Sequence, residues 1–205
     1  MTDEPAGSTG LPGAPDQLSL AADVVCLLRE RGETLATAES LTGGLVVAAL
    51  TAVAGSSAVV RGGIVAYASE VKRDVLTVDA DLLGRHGAVS REVAVEMATR
   101  VADLFASSWA ISTTGVAGPE RQDGQPVGTV YVSVAGPRHV WSTGSSGLPV
   151  SNLDDVAASA ELGTGTGAEV MQLALTGSRA QIRASTVVHS LQVLRDRICS
   201  VPRRI

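Results

Sequence analysis

Two short apolar runs in this chain each end in a turn of glycine and hydroxyl residues, and that pattern restricts the fold more than any other feature. Thr34-Leu35-Ala36-Thr37-Ala38 runs into Glu39-Ser40-Leu41-Thr42-Gly43-Gly44 and then into the helix-like stretch Leu45–Leu50. Trp109–Thr114 runs into Gly115-Val116-Ala117-Gly118-Pro119. A short apolar run stopped by glycine reads as a buried strand, and a helical pattern directly after it makes a strand–turn–helix unit. Such a turn aims backbone N–H groups and hydroxyls at one point, as an anionic or carbonyl-bearing ligand requires. Taken alone, the same turn also serves as an ordinary helix cap.

The remaining pattern extends this unit into a domain. Hydrophobic residues make up 45% of the 205 residues but aromatic ones only 2%, so Val, Leu, Ile and Ala must build the core. A chain of this length buries a core as one domain without disulfides. Helices are predicted over Leu18–Arg31, closed by Gly32, and over Gly43–Thr51. A short one from Ser69 to about Leu76 carries Lys72, and another starts at the capping Ser90 with Val93, Met97, Val101 and Leu104 on one face. The last runs from Ser178 to about Cys199, with Ile182, Val187, Leu191 and Leu194 aligned. Strands are predicted at Thr34–Ala38, Ile64–Tyr67, Trp109–Thr114, Val127–Ala135, near His139–Ser142 and at Val170–Leu175. Helices precede, interrupt and follow strands, which places the chain in the α/β class with a mixed sheet between helical layers. Residues 1–16 read as a flexible leader, 17–199 as the domain and 200–205 as a tail. Residues 143–166, rich in Gly, Ser, Thr and Ala, read as an insertion or mobile loop, with Leu153–Leu162 as an optional short helix.

Several function classes are disfavoured at this level. A formal net charge of -5 argues against a broad nucleic-acid surface, although a pocket for one phosphate needs only one or two arginines. The two cysteines, Cys26 and Cys199, lie near opposite ends and form no disulfide framework. His86, His139 and His189 are scattered, and no Cys/His spacing resembles a zinc site. No apolar run reaches membrane-spanning length, and the basic-then-apolar layout of a signal peptide is missing. A reduced cytoplasm is the expected location, with neither membrane nor nucleic acid as partner.

The motifs, taken in order, resemble one family. They are Thr37–Gly44, Gly55-Ser56-Ser57, Gly63–Lys72, His86–Ser90, Thr114–Pro119, Pro126–Val130 and Gly177–Arg183. Together they resemble the CinA carboxy-terminal-domain family of competence/damage-inducible proteins, whose characterised members are nicotinamide-nucleotide amidases. The resemblance implies a single three-layer α/β/α domain that converts nicotinamide mononucleotide to nicotinic acid mononucleotide and ammonia. It implies a small-molecule nucleotide substrate and no metal or other cofactor; self-association is common in the family and stays open here. The family pattern falls on Ser40, Thr42, Gly43 and Gly44, then Ser56 and Ser57, Tyr67 and Lys72, Thr114, Gly115 and Gly118, and Arg179. Two positions depart from it: Leu41 replaces the usual Cys and Ser69 the usual Asn. Leu41 is harmless if its side chain enters the core, whereas Ser69 removes an amide that would touch the ligand.

Roles follow from what amide hydrolysis needs: an attacking oxygen, a base, an oxyanion donor and an acid for departing ammonia. Ser57 is the expected nucleophile with Lys72 as base, and Ser40 is the substitute nucleophile. Such a pair works only if burial or a cationic neighbour lowers the lysine pKa from about 10.4. Tyr67 is expected to hold a proton relay or the carboxamide. Ser40, Thr42, Gly43, Gly44, Ser56, Thr114, Gly115 and Gly118 are expected to line the substrate site, with Arg179 on its phosphate. Glu39 is either a buried turn acid or a ribose ligand. Arg183, one helical turn past Arg179, reads as an exposed surface charge, and His86 as a structural cap. The alternative to an enzyme is a pyridine-nucleotide-binding regulator that keeps the pocket. A third reading, hydrolysis of another nucleotide amide or of pyrophosphate, ranks last, since pyrophosphatase chemistry recruits a metal through clustered carboxylates.

Overall fold

A computed structural model describes residues 16–137 and 166–201. Asp16 caps the first helix, α1 (Gln17–Arg31), by accepting from the Ser19 N–H at 2.7 Å. Strand β1 (Leu35–Glu39), helix α2 (Leu45–Thr51), a 3-10 turn (Ser56–Ala58) and strand β2 (Val60–Val65) follow. Then come helices α3 (Ser69–Asp74), α4 (Ala80–His86) and α5 (Arg91–Leu104), strands β3 (Trp109–Gly115), β4 (Thr129–Pro137) and β5 (Thr166–Ala174), and helix α6 (Arg179–Ser200). The sheet order is β2-β1-β3-β4-β5. The first three strands run parallel, and β4 lies antiparallel to both β3 and β5.

Alternation along the strands divides the core in two. Leu35, Trp109, Ile111, Val130, Val132, Val134 and Leu173 pack with α1, α2 and α6 on one face. Ala36, Ala38, Ala110 and Ala135 turn to the other, where α5 packs through Val93, Met97 and Val101. The small side chains on that face let α5 approach the sheet closely enough for the Ser112 hydroxyl to donate to the Ala94 carbonyl at 2.5 Å. Every residue of β1 and β3 is buried, as strands covered on both faces must be. The protein is thus an α/β domain with helical layers on both faces of a mixed sheet.

Most predicted elements stand within a few residues of their expected places, with three differences. Helix α4 was not expected: it has no fully buried residue, and its two adjacent leucines, Leu82 and Leu83, pack partly buried against the core without forming a repeating stripe. Strand β2 starts at Val60, earlier than expected, and Tyr67 falls beyond its end. The strand that pairs with β4 is β5, starting at Thr166, so the expected strand at Val170 is longer than its apolar run. The strand expected near His139–Ser142, the optional helix at Leu153–Leu162, residues 143–165 of the expected insertion, the leader up to residue 15 and Arg203-Arg204 lie outside the described residues.

The turn after β1 is organised by a carboxylate. Glu39 is 1% exposed, and its oxygens accept from the N–H groups of Gly44 at 2.9 Å, Val46 at 3.0 Å and Val47 at 2.8 Å. Its charge sits at the positive end of α2, and it satisfies three amides that have no intrahelical partner. Gly44 adopts φ 95°, a left-handed conformation that lets the chain fold back over the carboxylate. Hydrogen bonds to a charged acceptor contribute about 1.5–3 kcal/mol each. Glu39→Ala is therefore expected to lower unfolding free energy by about 3 kcal/mol or more; a guanidinium titration giving a loss under about 1 kcal/mol would contradict this role.

Candidate active site

The carboxyl ends of the parallel strands β2, β1 and β3 bring Ser40, Tyr67 and Thr114 to one edge, the usual place for a site in an open α/β sheet. Ser40 follows β1 directly and its N–H donates to the Thr113 carbonyl at 2.9 Å. Lys72, on α3, reaches back to this edge. Its Nζ lies 3.1 Å from Ser40 Oγ, 2.8 Å from the Ala66 carbonyl and 3.2 Å from the Tyr67 carbonyl. Lys72 is 1% exposed and Ser40 9%. Burial lowers the Lys72 pKa from 10.5 to about 8, while the negative charges of Asp123 and Glu70 pull it back up.

The three partners of that amine fit both of its protonation states. The ammonium donates to all three oxygens. The neutral amine keeps two N–H donors for the carbonyls of Ala66 and Tyr67, leaving its lone pair for the Ser40 hydroxyl proton. Loss of the proton reverses the direction of one hydrogen bond and breaks none.

Ser57 does not take part in this pairing, which corrects the expected Ser57–Lys72 couple. Leu35 at the start of β1 pairs with Val60 and donates to the Val59 carbonyl, and Ser57 precedes both. Glu39, just before Ser40, pairs with Val65. Ser56 and Ser57 therefore sit at the amino end of the strands, separated from Ser40 by roughly the length of β1, about 16 Å at 3.3 Å per residue. Ser56 is buried at that end and Ser57 is exposed.

The other expected residues divide into those that hold the loops and those that face outward. The Thr42 hydroxyl is fully buried and bonds to the Thr113 hydroxyl at 2.7 Å, tying the Ser40 loop to β3. The Thr114 hydroxyl donates to the Ala88 carbonyl at 2.6 Å. Gly115 packs so tightly on β4 that a Cβ would lie 2.7 Å from the Thr129 oxygen. The N–H of Gly43 donates to the Ser40 carbonyl and that of Gly44 to Glu39, so both amides expected to cradle a ligand are already engaged. Glu39 is the buried turn acid of the two readings. Tyr67 is 59% exposed, and its hydroxyl accepts from Arg179 at 2.9 Å. The exposed Arg179 also donates to the Gly118 carbonyl at 2.6 Å, so it links the Tyr67 and Gly118 loops.

Two residues passed over in the sequence occupy central positions. Arg183, read as a surface charge, is partly buried and donates to the carbonyls of Leu41 at 2.9 Å and Thr42 at 2.8 Å. Its signal was the four-residue spacing from Arg179, which places both on one helix face. Asp123 accepts from the N–H groups of Ala88 at 2.8 Å and Val89 at 3.3 Å. With Ser69, Glu70, Arg73 and Gly87 it lines a cavity of about 300 Å³ between α3 and α4. Neither Ser40 nor Lys72 lines that cavity, so it does not contain the Ser40–Lys72 pair. Among the described residues no group of three or more His, Cys, Asp or Glu side chains is placed to hold a metal ion, and no helix is long and apolar enough to cross a membrane.

Residues 17–148 match the CinA C-terminal domain. The chain belongs to that family. A CinA-like protein of Frankia casuarinae is 38% identical over 193 residues, which is 94% of this chain and 38% of that protein. One from Synechococcus is 52% identical over 126 residues, 61% of this chain and 30% of that protein. The chain thus spans about a third of the length of these curated relatives. Among solved structures, a competence damage-inducible protein from Klebsiella pneumoniae superposes with a TM-score of 0.72 at 31% identity, covering 89% of this chain and 96% of that one. The competence/damage inducible protein CihA from Agrobacterium tumefaciens gives the same TM-score and identity, over 93% and 99%. Within this CinA-type domain the two departures lie in different surroundings. Leu41 is 4% exposed and packs into the core between the sheet and α1, α2 and α6. Ser69 is exposed and lines the cavity beside α3.

Lys72 is expected to titrate near 8, and Asp123→Asn to move it lower, because removing that negative charge removes a contribution that favours the ammonium. The pH dependence of Lys72 acylation, read by peptide mass spectrometry, checks both. An ordinary value near 10.5, or an upward shift in the variant, would contradict the charge arrangement.

Proposed function

We propose that this CinA-type domain is a metal-independent amidase that hydrolyses nicotinamide mononucleotide to nicotinic acid mononucleotide and ammonia. The observation that supports it most is the buried Lys72 Nζ at 3.1 Å from Ser40 Oγ, on an amine whose pKa is brought down to about 8. The substrate comes from the family resemblance. The arrangement of Ser40 and Lys72 supports amide hydrolysis in general.

Ser40 Oγ attacks the carboxamide carbon as neutral Lys72 takes the hydroxyl proton. The carbonyl oxygen becomes an oxyanion beside the N–H groups of Leu41 and Thr42, which follow Ser40 and have no acceptor among the described residues. The intermediate collapses, the C–N bond breaks, and Lys72 returns its proton to the leaving nitrogen, releasing ammonia and an ester on Ser40. Water then attacks that ester, Lys72 takes its proton, and Ser40 Oγ leaves with a proton restored from Lys72. Amide and water go in; carboxylic acid and ammonia come out. Tyr67 stands at the rim to orient the pyridine ring. Arg179 uses two donors on Gly118 and Tyr67 and keeps the rest of its fork for phosphate.

A pocket that binds the nucleotide without turnover is the second reading, and the Ser69 departure beside α3 is the observation that favours it. Ammonia release with chelator present separates the two. Ser40→Ala is expected to lower kcat by about 1,000-fold or more, and Ser57→Ala by less than about twofold. Because the reacting form is the neutral amine, kcat/KM should rise with pH through about 8 and then level off. Saturable binding without ammonia would support the regulator, and equal losses in the two serine variants would overturn the assignment of Ser40.

A further inference from the structure

Arg183 on α6 is the one charged side chain described here whose guanidinium grips two consecutive carbonyls of the reacting loop, those of Leu41 and Thr42. It approaches through space left by a glycine: a Cβ on Gly43, itself at φ 60°, would lie 3.3 Å from the Arg183 NH2. The left-handed φ of Gly43 and this close approach of Arg183 both favour glycine at the position.

The grip fixes more than the loop's position. A trans peptide is planar, so its N–H points opposite to its C=O. The Leu41 carbonyl faces Arg183, so the N–H of the same peptide, that of Thr42, points away from α6. Helix α6 packs on one face of the sheet, with α1 and α2, whereas Leu76 and Val78 just beyond α3 join the core on the other. The Thr42 N–H thus faces away from the Arg183 contact, and it has no acceptor among the described residues. The next peptide is held in the same way: the Thr42 carbonyl takes the second Arg183 donor, and its N–H, that of Gly43, donates to the Ser40 carbonyl at 3.1 Å. A cation on the carbonyl also polarises the peptide and makes its N–H a stronger donor.

We propose that Arg183 is a positioning residue for the reaction: by holding the Leu41 carbonyl it aims and strengthens the Thr42 N–H as the donor to the oxyanion. This rests on Ser40 as the reacting hydroxyl. Arg183 does not touch the substrate. Its effect falls on the transition state, where negative charge develops, and little on ground-state binding.

Arg183→Ala and Arg183→Lys in the full chain, read by turnover of nicotinamide mononucleotide and by hydrogen exchange of residues 40–44, test this. Arg183→Ala should lower kcat about 100-fold and leave KM within about threefold. Lysine, which makes one contact in place of a fork, should restore part of the loss, as should millimolar guanidinium ion added to the alanine variant. Exchange at 40–44 should accelerate while α1 and β3 stay protected. Unchanged kcat and exchange, or faster exchange across the whole domain with no rescue by guanidinium, would overturn the proposal. If the wild-type protein fails to turn over the nucleotide, the amidase reading falls and the oxyanion role of Arg183 falls with it, whereas turnover with unchanged kcat in Arg183→Ala overturns the Arg183 role alone.

Discussion

A lysine amine buried at the edge of a sheet imposes the constraint around which the rest of this structure is arranged. An ammonium taken out of water is costly unless oxygens replace its hydration. Around Lys72 those oxygens are the carbonyls of Ala66 and Tyr67, at the exit from β2, and the hydroxyl of Ser40, at the exit from β1. Two loops must converge for the amine to be tolerated, so the burial that perturbs its titration also brings a hydroxyl to it. Asp123 and Glu70 temper the effect, since each favours the ammonium that burial opposes. The balance near 8 places the amine where both of its states are populated close to neutral pH.

The converging loops are held by charged groups that point inward to peptide groups. Glu39 holds the start of α2 from below, accepting from three amides. Arg183 holds the same loop from α6 through two carbonyls, and Thr42 bonds it to β3. Arg179 joins the Tyr67 and Gly118 loops from the first turn of α6. Helix α6 itself is fixed by a capping box between Ser178 and Gln181, and at its far end Arg31 donates to the carbonyls of Ile198 and Val201. A helix anchored at both ends is a firm support for two arginines that must place their forks to within a fraction of an ångström.

The strands and long helices were legible because burial leaves a pattern in sequence: β1 and β3 are short runs opened by large apolar residues and buried along their whole length, and α5 carries a stripe. Helix α4 has no fully buried residue and only Leu82 and Leu83 against the core, too little for that test, although Asp79 as cap, Asp81 in the first turn and Arg85 in the last are a readable charge pattern. The candidate site was legible as a set of motifs and not as a geometry. Ser57 and Ser40 look alike along the chain, and only the parallel register of β1 with β2 places them at opposite ends of the sheet. The glycine turn suggested amides waiting for an anion, but Glu39, at the end of the preceding strand, fills that place. Arg183 resembled a surface charge because the carbonyls it holds lie far away in sequence.

With Ser40 as nucleophile and Lys72 as base, as proposed, amide hydrolysis passes through a covalent intermediate at one residue. Rapid acid quench of the protein during turnover of nicotinamide mononucleotide, followed by peptide mass mapping, tests it most directly. An ester of the pyridine nucleotide's acyl group is expected on the peptide containing Ser40, and it should be lost in Ser40→Ala. An adduct on the peptide containing Ser57, or steady turnover with no adduct at any time, would contradict it.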